Sequence, residues 1–473
     1  MLAVVFAVPV VAQLPGTAQS GPPTQGVPVS YGPQSVSPSA FQGSLVTDTP
    51  TGSVMDLSLD DAIQRGLQHN LGVILQSSQQ EAAAGARLQQ LQELLPTVDA
   101  QAKVQVQQIN LAAEGFKFPG INPIVGPFQV VDFRAYLTWS LFNVASLENF
   151  IAARHNFEGA KLSAQDARDM VVLTVGNAYL ICVADAARVT SVGSELQTTQ
   201  VSLDQANANH DAGTSPKLDV LRAQVDNQNL QQQMIVAQNQ LAKDKLALAR
   251  VIGLPLAQEF NLTDAAPYAP LDGVDADKAV AQALANRKDL QAMQEQLKAA
   301  QAQKKAAFAQ QLPAASFSGD FGDIGTTPAH SHDTYTASGT VSAPVLQIAK
   351  TRGDEEVAGA QYKQLQAEYS DMTQQVSADV RDAILDIQTA AKLVEATKSN
   401  VDLANEALSE AQQRFKAGVS DNLATSQAES QAEQASDQYI SALYQHNIAK
   451  LSLARALGVA QTNYKDYFGG KQP

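Results

Sequence analysis

The chain has 473 residues and a mass of 50.1 kDa, which is more than one ordinary domain needs. Apolar residues make up 45% of it and aromatic residues only 6%, which is little material for a solid core. The net charge is 32 − 47 = −15. This charge excludes DNA and RNA as partners, because nucleic-acid affinity rests on clustered basic residues. A single cysteine, Cys182, excludes an intrachain disulfide and a cysteine-cluster metal site.

The N-terminal residues resemble a leader. Residues 1–12 are apolar and predict a possible signal peptide that lacks the usual basic residues. Residues 13–55 are rich in Pro, Gly, Ser, Thr and Gln, and no Lys or Arg occurs before Arg65, so a disordered leader is predicted there. No later run of about eighteen uninterrupted apolar residues occurs. Any crossing of a membrane is therefore expected to use strands.

An internal repeat organises the rest of the chain. Residues 245–254 and 450–459 are identical at six of ten positions, at an offset of 205. The glycine-containing breaks at 212–215 and 417–420 keep the same offset. Two homologous halves are therefore predicted. The predicted division is repeat 1 over 56–255, a linker over 256–275, repeat 2 over 276–460 and a tail over 461–473.

Each half contains a heptad pattern that predicts a helical hairpin, over 144–252 and 347–457. Each long helix is expected to have about 70 residues, roughly 100 Å at 1.5 Å per residue. In the second half the predicted seam is Val376, Val380, Ala383, Ile387, Ala390, Val394, Thr397, Val401, Ala404, Leu408, Ala411 and Phe415. In the first half it is Val171, Val175, Ala178, Cys182, Asp185, Val189, Val192, Leu196, Thr199, Leu203, Ala206 and His210.

The return helix of the first half has a more polar heptad pattern. Its predicted seam is Leu218, Leu221, Val225, Gln228, Gln232, Ile235, Asn239, Ala242, Leu246 and Ala249. Glutamine and asparagine stand where a closed bundle needs large apolar side chains. We therefore expect helices packed side by side around water, as in a hollow tube. An ordinary long coiled-coil dimer or trimer is the alternative.

Two β-hairpins are predicted, over 97–142 and 314–346, because apolar and polar residues alternate there with a period of two. Strands of about ten residues suit a tilted transmembrane barrel, with apolar side chains toward lipid and polar ones toward the lumen. Four strands cannot close a barrel, so several chains must share one. Two, three or four chains remain open at this point, as does a soluble sandwich.

These patterns resemble the TolC-like outer-membrane efflux proteins, also called outer-membrane factors. The resemblance rests on the order, in duplicate, of short motifs: Leu57-Ser58-Leu59-Asp60-Asp61-Ala62 with Asn70-Leu71, Leu95-Pro96, Trp139-Ser140-Leu141-Phe142, the Gly213 and Gly418 breaks, and Asn286-Arg287-Lys288-Asp289-Leu290. It implies a mainly α fold with a small β part. It also implies a homotrimer with a twelve-stranded β-barrel in outer-membrane lipid and a twelve-helix α-barrel in the periplasm.

The resemblance also implies a passive exit duct for small molecules. Such a duct docks a periplasmic adaptor (membrane fusion) protein and is driven by an inner-membrane pump. A component of type I polypeptide secretion is the alternative within the family. A periplasmic coiled-coil scaffold protein is the alternative from a different class.

The helical tips are the expected sites. The resemblance places the adaptor contacts at Gly213, Thr214, Leu218, Gly418, Val419 and Leu423. The family often has gate carboxylates six and nine residues after the second tip glycine, where this chain has Ala424 and Gln427. Asp219 and Asp421 are therefore the candidate periplasmic-gate acids.

We expect no catalytic residue, cofactor or metal site, because the sequence contains no recognisable enzyme motif. His330 and His332 lie in a predicted loop between two strands, where a solvated surface position is expected. Cys182 lies on a helical seam, where it is expected to pack as a small apolar side chain.

Overall fold

The computed structural model describes residues 37–113, 115, 119–120, 122–264, 268–271, 273–345, 347–417, 419–420 and 422–467. The helices of this part are α1 (Leu59–His69), α2 (Leu71–Gln92), α3 (Val144–Asp211), α4 (Lys217–Ile252), α5 (Ala276–Asn286), α6 (Lys288–Ala309), α7 (Ile348–Lys416), α8 (Asn422–Ala456) and α9 (Ala460–Tyr467). The strands are β1 (Met55–Leu57), β2 (Thr97–Asn110), β3 (Ile124–Phe142), β4 (Phe260–Leu262), β5 (Ala314–Gly325) and β6 (Ser331–Ser342). A β-hairpin followed by a long helical hairpin occurs twice, which confirms the predicted fold class.

The predicted signal peptide, residues 1–12, lies outside the described residues, but the end of the predicted leader lies within them. This end is ordered rather than disordered. The Asn70 side-chain amide donates to the Phe41 carbonyl at 2.7 Å, and the Thr51 amide donates to Gln258 Oε1 at 2.9 Å. The composition of residues 13–55 did not predict these contacts. In both of them the leader contributes a backbone group, which a residue of any type carries.

Local signals in the sequence determine where the helices begin and end. Ser58 and Asp61 form a reciprocal capping box at the start of α1. The Asn143 side chain accepts from the Ser146 amide at the start of α3. Gly253, with φ 75°, ends α4 in the left-handed conformation that glycine adopts without strain. The helices α3 and α7 are 68 and 69 residues long, close to the predicted length.

The four hairpin helices stand side by side in the order α4, α3, α8, α7. The short helix α2 packs on α3, α6 packs on both α3 and α7, and α5 packs on α7. Two apolar cores lie near the middle of the long helices. The first core contains Val171, Val175 and Leu248, and the second contains Val376, Val380 and Leu453. The outer helices of this row are α4 and α7.

Within the described residues, one helix contains a window apolar enough to cross a membrane by length and composition. This window belongs to α3, has a mean hydropathy of 1.7, and half of it is buried. Because α3 packs against α2, α4, α6 and α8, its apolar character is accounted for by its central place in the helical row.

Burial bears out the predicted seams of α3 and α7. In α7 the seam residues Val376, Val380, Ile387, Val394 and Phe415 are each less than 5% exposed. Because its apolar residues repeat every 3.5 residues, α7 turns the same stripe of side chains toward its neighbours along its length.

The predicted seam of α4 is wrong for the single chain. Its residues Leu218, Leu221, Val225 and Ile235 are 49–66% exposed. The buried stripe of α4 lies on another face and contains Asp219, Val220, Ala223, Asn227, Leu230, Ala237 and Leu248. Of the predicted seam, Ala249 at its C-terminal end is buried as expected. The larger apolar side chains of α4 form the heptad pattern, whereas the contact with α3 is made mainly by small and polar side chains. An apolar stripe therefore remains uncovered on α4.

The β-hairpins join into one antiparallel sheet in the order β2, β3, β5, β6. The register places Val104 opposite Val131 and Phe321 opposite Tyr335, so the apolar side chains of all four strands share one face. A second, parallel sheet of β1 and β4 was not predicted, because strands of three residues carry no periodic signal.

A cluster of buried polar side chains lies on α8. His446, Asn447 and Lys450 are each at most 1% exposed. The His446 ring lies 5.0 Å from the Tyr268 ring, and neither ring nitrogen has a hydrogen-bond partner. Among the described residues no carboxylate pairs with Lys450. Burial lowers the pKa of the Lys450 ammonium to about 8.

We predict that Lys450→Met stabilises the protein at pH 7. Because folding lowers the pKa of Lys450 from 10.5 to about 8, the cost of burying its charge is complete below pH 8 and absent above pH 10.5. The free energy of unfolding should therefore rise by roughly 2–3 kcal/mol at pH 7, and the gain should shrink as the pH approaches 10.5. Denaturant unfolding in detergent, followed by circular dichroism, measures both. The exposed Lys363→Met is the control, and an equal effect of the two substitutions would contradict the prediction.

Candidate functional site

The first helical tip is a tight turn between α3 and α4. The Ala212 amide donates to the Ala208 carbonyl at 3.0 Å, and Gly213 then adopts φ 73°. The Thr214 amide and Oγ1 both donate to the Asn209 carbonyl at 2.9 Å. The chain thus satisfies the free carbonyls at the end of α3 and reverses direction within a few residues.

The second tip lies beside the first. Phe415, in the last turn of α7, is buried against Ala206 of α3 and against Val220 and Ala223 of α4. Of the second-tip residues predicted as sites, Gly418 and Asp421 lie outside the described residues. This packing brings the ends of both hairpins to one end of the molecule.

Apolar side chains are exposed at this end. Leu218 is 52% exposed, Val419 68% and Leu423 43%. These three predicted contact residues come from both tips. They leave an apolar surface that the single chain does not cover, which is typical of a docking site.

The candidate gate acid Asp219 is buried. It lies in the first turn of α4, is 5% exposed, and its Oδ1 is 3.9 Å from Arg222 Nη1. A carboxylate in this position stabilises the helix N-terminus. Its burial therefore favours a structural role for Asp219 in the single chain.

A cavity of about 430 Å³, which no pattern in the sequence predicted, lies between the hairpins near the tips. It is lined by Glu195 of α3, Asp226 of α4, and Glu429 and Glu433 of α8, and no Lys or Arg is among its described lining residues. Burial raises the pKa of Glu195 and of Glu429. These carboxylates come from helices far apart in sequence, so no local pattern could have revealed them.

Two hydrogen bonds join the first hairpin to the second at this level. Ser202 Oγ donates to Glu429 Oε1 at 2.7 Å, and Ser426 Oγ donates to Asp226 Oδ2 at 2.7 Å. Both bonds link the first hairpin to α8. They hold the two tips in register beside the acidic cavity.

Cys182 and His330 lie where they were expected, but His332 does not: it lies in β6, opposite Ile324, rather than in the loop. Burial raises the pKa of the Cys182 thiol to about 12, so this cysteine is a packing residue. His330 lies in the loop between β5 and β6 and hydrogen-bonds Thr327 Oγ1 at 2.9 Å. In the described part of the chain no group of three or more His, Cys, Asp or Glu side chains is arranged to hold a metal ion.

Known proteins share this architecture. The solved structure of the outer membrane protein VceC from Vibrio cholerae superposes with a TM-score of 0.74, covering 85% of this chain and 96% of that one at 19% identity. The open-state MtrE outer membrane channel of Neisseria gonorrhoeae gives a TM-score of 0.73, with 91% and 98% covered at 19% identity. Both likenesses concern the fold.

Sequence comparison gives the same result. The pyoverdine export outer membrane protein OpmQ of Pseudomonas putida is 24% identical over 310 residues, 65% of this chain. The chain spans 66% of the length of OpmQ, just under two thirds. The family described as Outer membrane efflux protein matches residues 63–254 and 279–459, one segment in each predicted repeat. The predicted resemblance is therefore confirmed: the chain belongs to the outer membrane efflux protein family, and it is an outer-membrane protein.

Proposed function

We propose that three copies of this chain form the exit duct of a tripartite efflux system, which carries small molecules outward across the outer membrane. The main observation in favour of this proposal is that the four-stranded sheet exposes its apolar face instead of burying it. Its apolar side chains Val98, Val106, Tyr335 and Val341 are 69–79% exposed. A sheet of this kind suits hydrocarbon on its apolar face and water on the other.

The sheet also has two free edges. In the described part of the chain, β2 and β6 each pair with one neighbour only. In a bilayer every backbone N–H and C=O must find a partner within the protein, so β6 of one chain must pair with β2 of the next. Three chains of four strands give twelve strands, the number that the family resemblance implies.

The helical row has matching edges. The exposed stripe on α4 contains Leu218, Leu221, Val225, Ile235, Val236 and Leu246. The exposed apolar residues of α7 are Ile348, Val357, Leu385, Leu393 and Leu403. A rotational assembly that joins β6 to β2 also brings α7 of one chain against α4 of the next. The four helices of each chain then form a tube of twelve.

The tips supply the contacts to partners. Gly213, Thr214 and Leu218 with Gly418, Val419 and Leu423 would lie at the inner mouth of the tube and receive a periplasmic adaptor, through which an inner-membrane pump supplies the energy. The duct itself needs no catalytic group. Small molecules are favoured as cargo over polypeptides because relatives are named for pyoverdine export and for a toluene efflux pump. The exposed apolar face of the sheet argues against a periplasmic scaffold.

We predict that Ile235→Glu breaks the trimer. Wild-type protein extracted from outer membranes should have a protein mass of roughly 150 kDa, three times the 50.1 kDa of the chain. Ile235 is 66% exposed in the single chain, so a glutamate there leaves the chain fold intact. It places a charge in the proposed interface and removes about 1.5–3 kcal/mol of burial at each of the three contacts.

The control is Gln238→Glu, three residues further along α4 and outside the exposed stripe. Native mass spectrometry in detergent measures both variants. A wild-type monomer in the soluble fraction, or an Ile235→Glu trimer as stable as the control, would rule out the proposed assembly.

We also predict that Val419→Asp reduces adaptor-dependent efflux and leaves the trimer intact. Val419 is 68% exposed at the second tip, so an aspartate costs the fold little but disrupts an apolar contact with a partner. Cross-linking to the adaptor and cellular resistance to exported compounds measure the effect. Leu256→Asp, at a 61% exposed position just after α4, is the control. Unchanged resistance and cross-linking would remove the tip assignment.

A further inference from the structure

Five charged side chains lie on the polar face of the four-stranded sheet. The register places Asp99 opposite Tyr136, Gln101 opposite Arg134, and Lys103 opposite Asp132. On the other side of β3, Arg134 lies opposite Gly322, and Tyr136 lies opposite Asp320. These charges therefore occupy three successive rows across the sheet. We call Asp99, Lys103, Asp132, Arg134 and Asp320 the charged belt.

Arg134 is the centre of the charged belt. Its Nε donates to Asp132 Oδ1 at 3.2 Å on its own strand, and its Nη2 donates to Thr334 Oγ1 at 2.9 Å on β6. Its Nη1 donates to Asp320 on β5, which lies between these two strands. The guanidinium therefore has a partner on each of three neighbouring strands. The Arg134 side chain is only 14% exposed, and these hydrogen bonds hold it against the sheet.

Gly322 makes this arrangement possible. A Cβ at this position would lie 2.6 Å from Arg134 Cα and 2.8 Å from Arg134 Cβ, closer than real contacts allow. With hydrogen in place of a side chain on β5, the Arg134 side chain reaches across that strand to Thr334 on β6. The sheet thus holds a positive group at a fixed place on its polar face.

The charges of the belt do not cancel. Two bases, Lys103 and Arg134, stand against three acids, Asp99, Asp132 and Asp320, so the net charge is 2 − 3 = −1 for each chain. The other charged residues of these strands, Asp323 and Asp333, belong to the opposite face, because they lie opposite each other and Asp323 lies opposite Phe133. The polar face of each chain is therefore weakly acidic, with Lys103 and Arg134 offsetting two of its three carboxylates.

We propose that the charged belt sets the ion selectivity of the β-barrel and that Arg134 is the residue that limits its preference for cations. This inference rests on the proposed function, since it requires the polar face to line a lumen. Rings of fixed charge on a low-dielectric wall raise the local concentration of counter-ions. Their influence extends about 8 Å into the lumen at physiological salt. Removing Arg134 doubles the net negative charge of the belt.

The test is the reversal potential of purified protein in planar lipid bilayers under a KCl gradient. We expect wild type to show a weak preference for potassium over chloride. Arg134→Gln changes the net charge of the belt from −1 to −2 per chain and should shift the reversal potential further toward the potassium equilibrium potential. Asp320→Asn changes it from −1 to 0 and should shift the potential the opposite way.

Matched variants separate charge from structure. Arg134→Lys keeps the charge and should keep the wild-type reversal potential. The double variant Arg134→Gln/Asp320→Asn restores a net charge of −1 per chain and should restore the wild-type reversal potential. Asp323→Asn makes the same charge change as Asp320→Asn on the opposite face, three residues away, and should leave the potential unchanged. Selectivity equal to wild type in Arg134→Gln channels of normal conductance would overturn the inference. A wild-type protein that forms no channels would overturn the proposed function instead.

Discussion

The need to pair every backbone group in hydrocarbon governs this molecule. Among the strands that the structure describes, β2 and β6 have free edges, and the apolar face of the sheet is turned outward, so the single chain is incomplete in a bilayer. No rearrangement of four strands removes both edges, because closed barrels need about eight strands or more. Pairing with further copies of the chain resolves the edges and covers no part of the apolar face, which stays available to lipid.

The helices provide a second contact between neighbouring chains. In the row α4, α3, α8, α7, the two outer helices belong to different repeats, as do the two outer strands of the sheet. A copy added at one edge of the sheet is therefore also added at the same side of the helical row. The exposed leucine, valine and isoleucine side chains of α4 and α7 give this second contact an apolar surface to bury. Strand pairing and helix packing thus favour one assembly.

Polar groups inside the molecule are placed by packing between distant segments. The acidic cavity near the tips joins Glu195 with Glu429, and the charged belt joins Arg134 with Asp320. In each case the hydrogen bonds cross between the two repeats, at Ser202 with Glu429 and at Arg134 with Asp320. The duplication that built the scaffold therefore also created interfaces at which new charge arrangements can arise.

The periodic features of the fold can be predicted from the amino-acid sequence alone. The heptad of Val376, Val380 and Ile387, the alternation of Val131 and Asp132, and the glycine break at Gly213 each follow from backbone geometry repeated over a few residues, so they could be read locally. Three further features became visible only in the folded chain: which stripe of α4 is buried, the packing of residues 37–55 on the helices, and the pairing of β1 with β4. These features depend on which distant surfaces meet, and a local pattern carries no information about its partner.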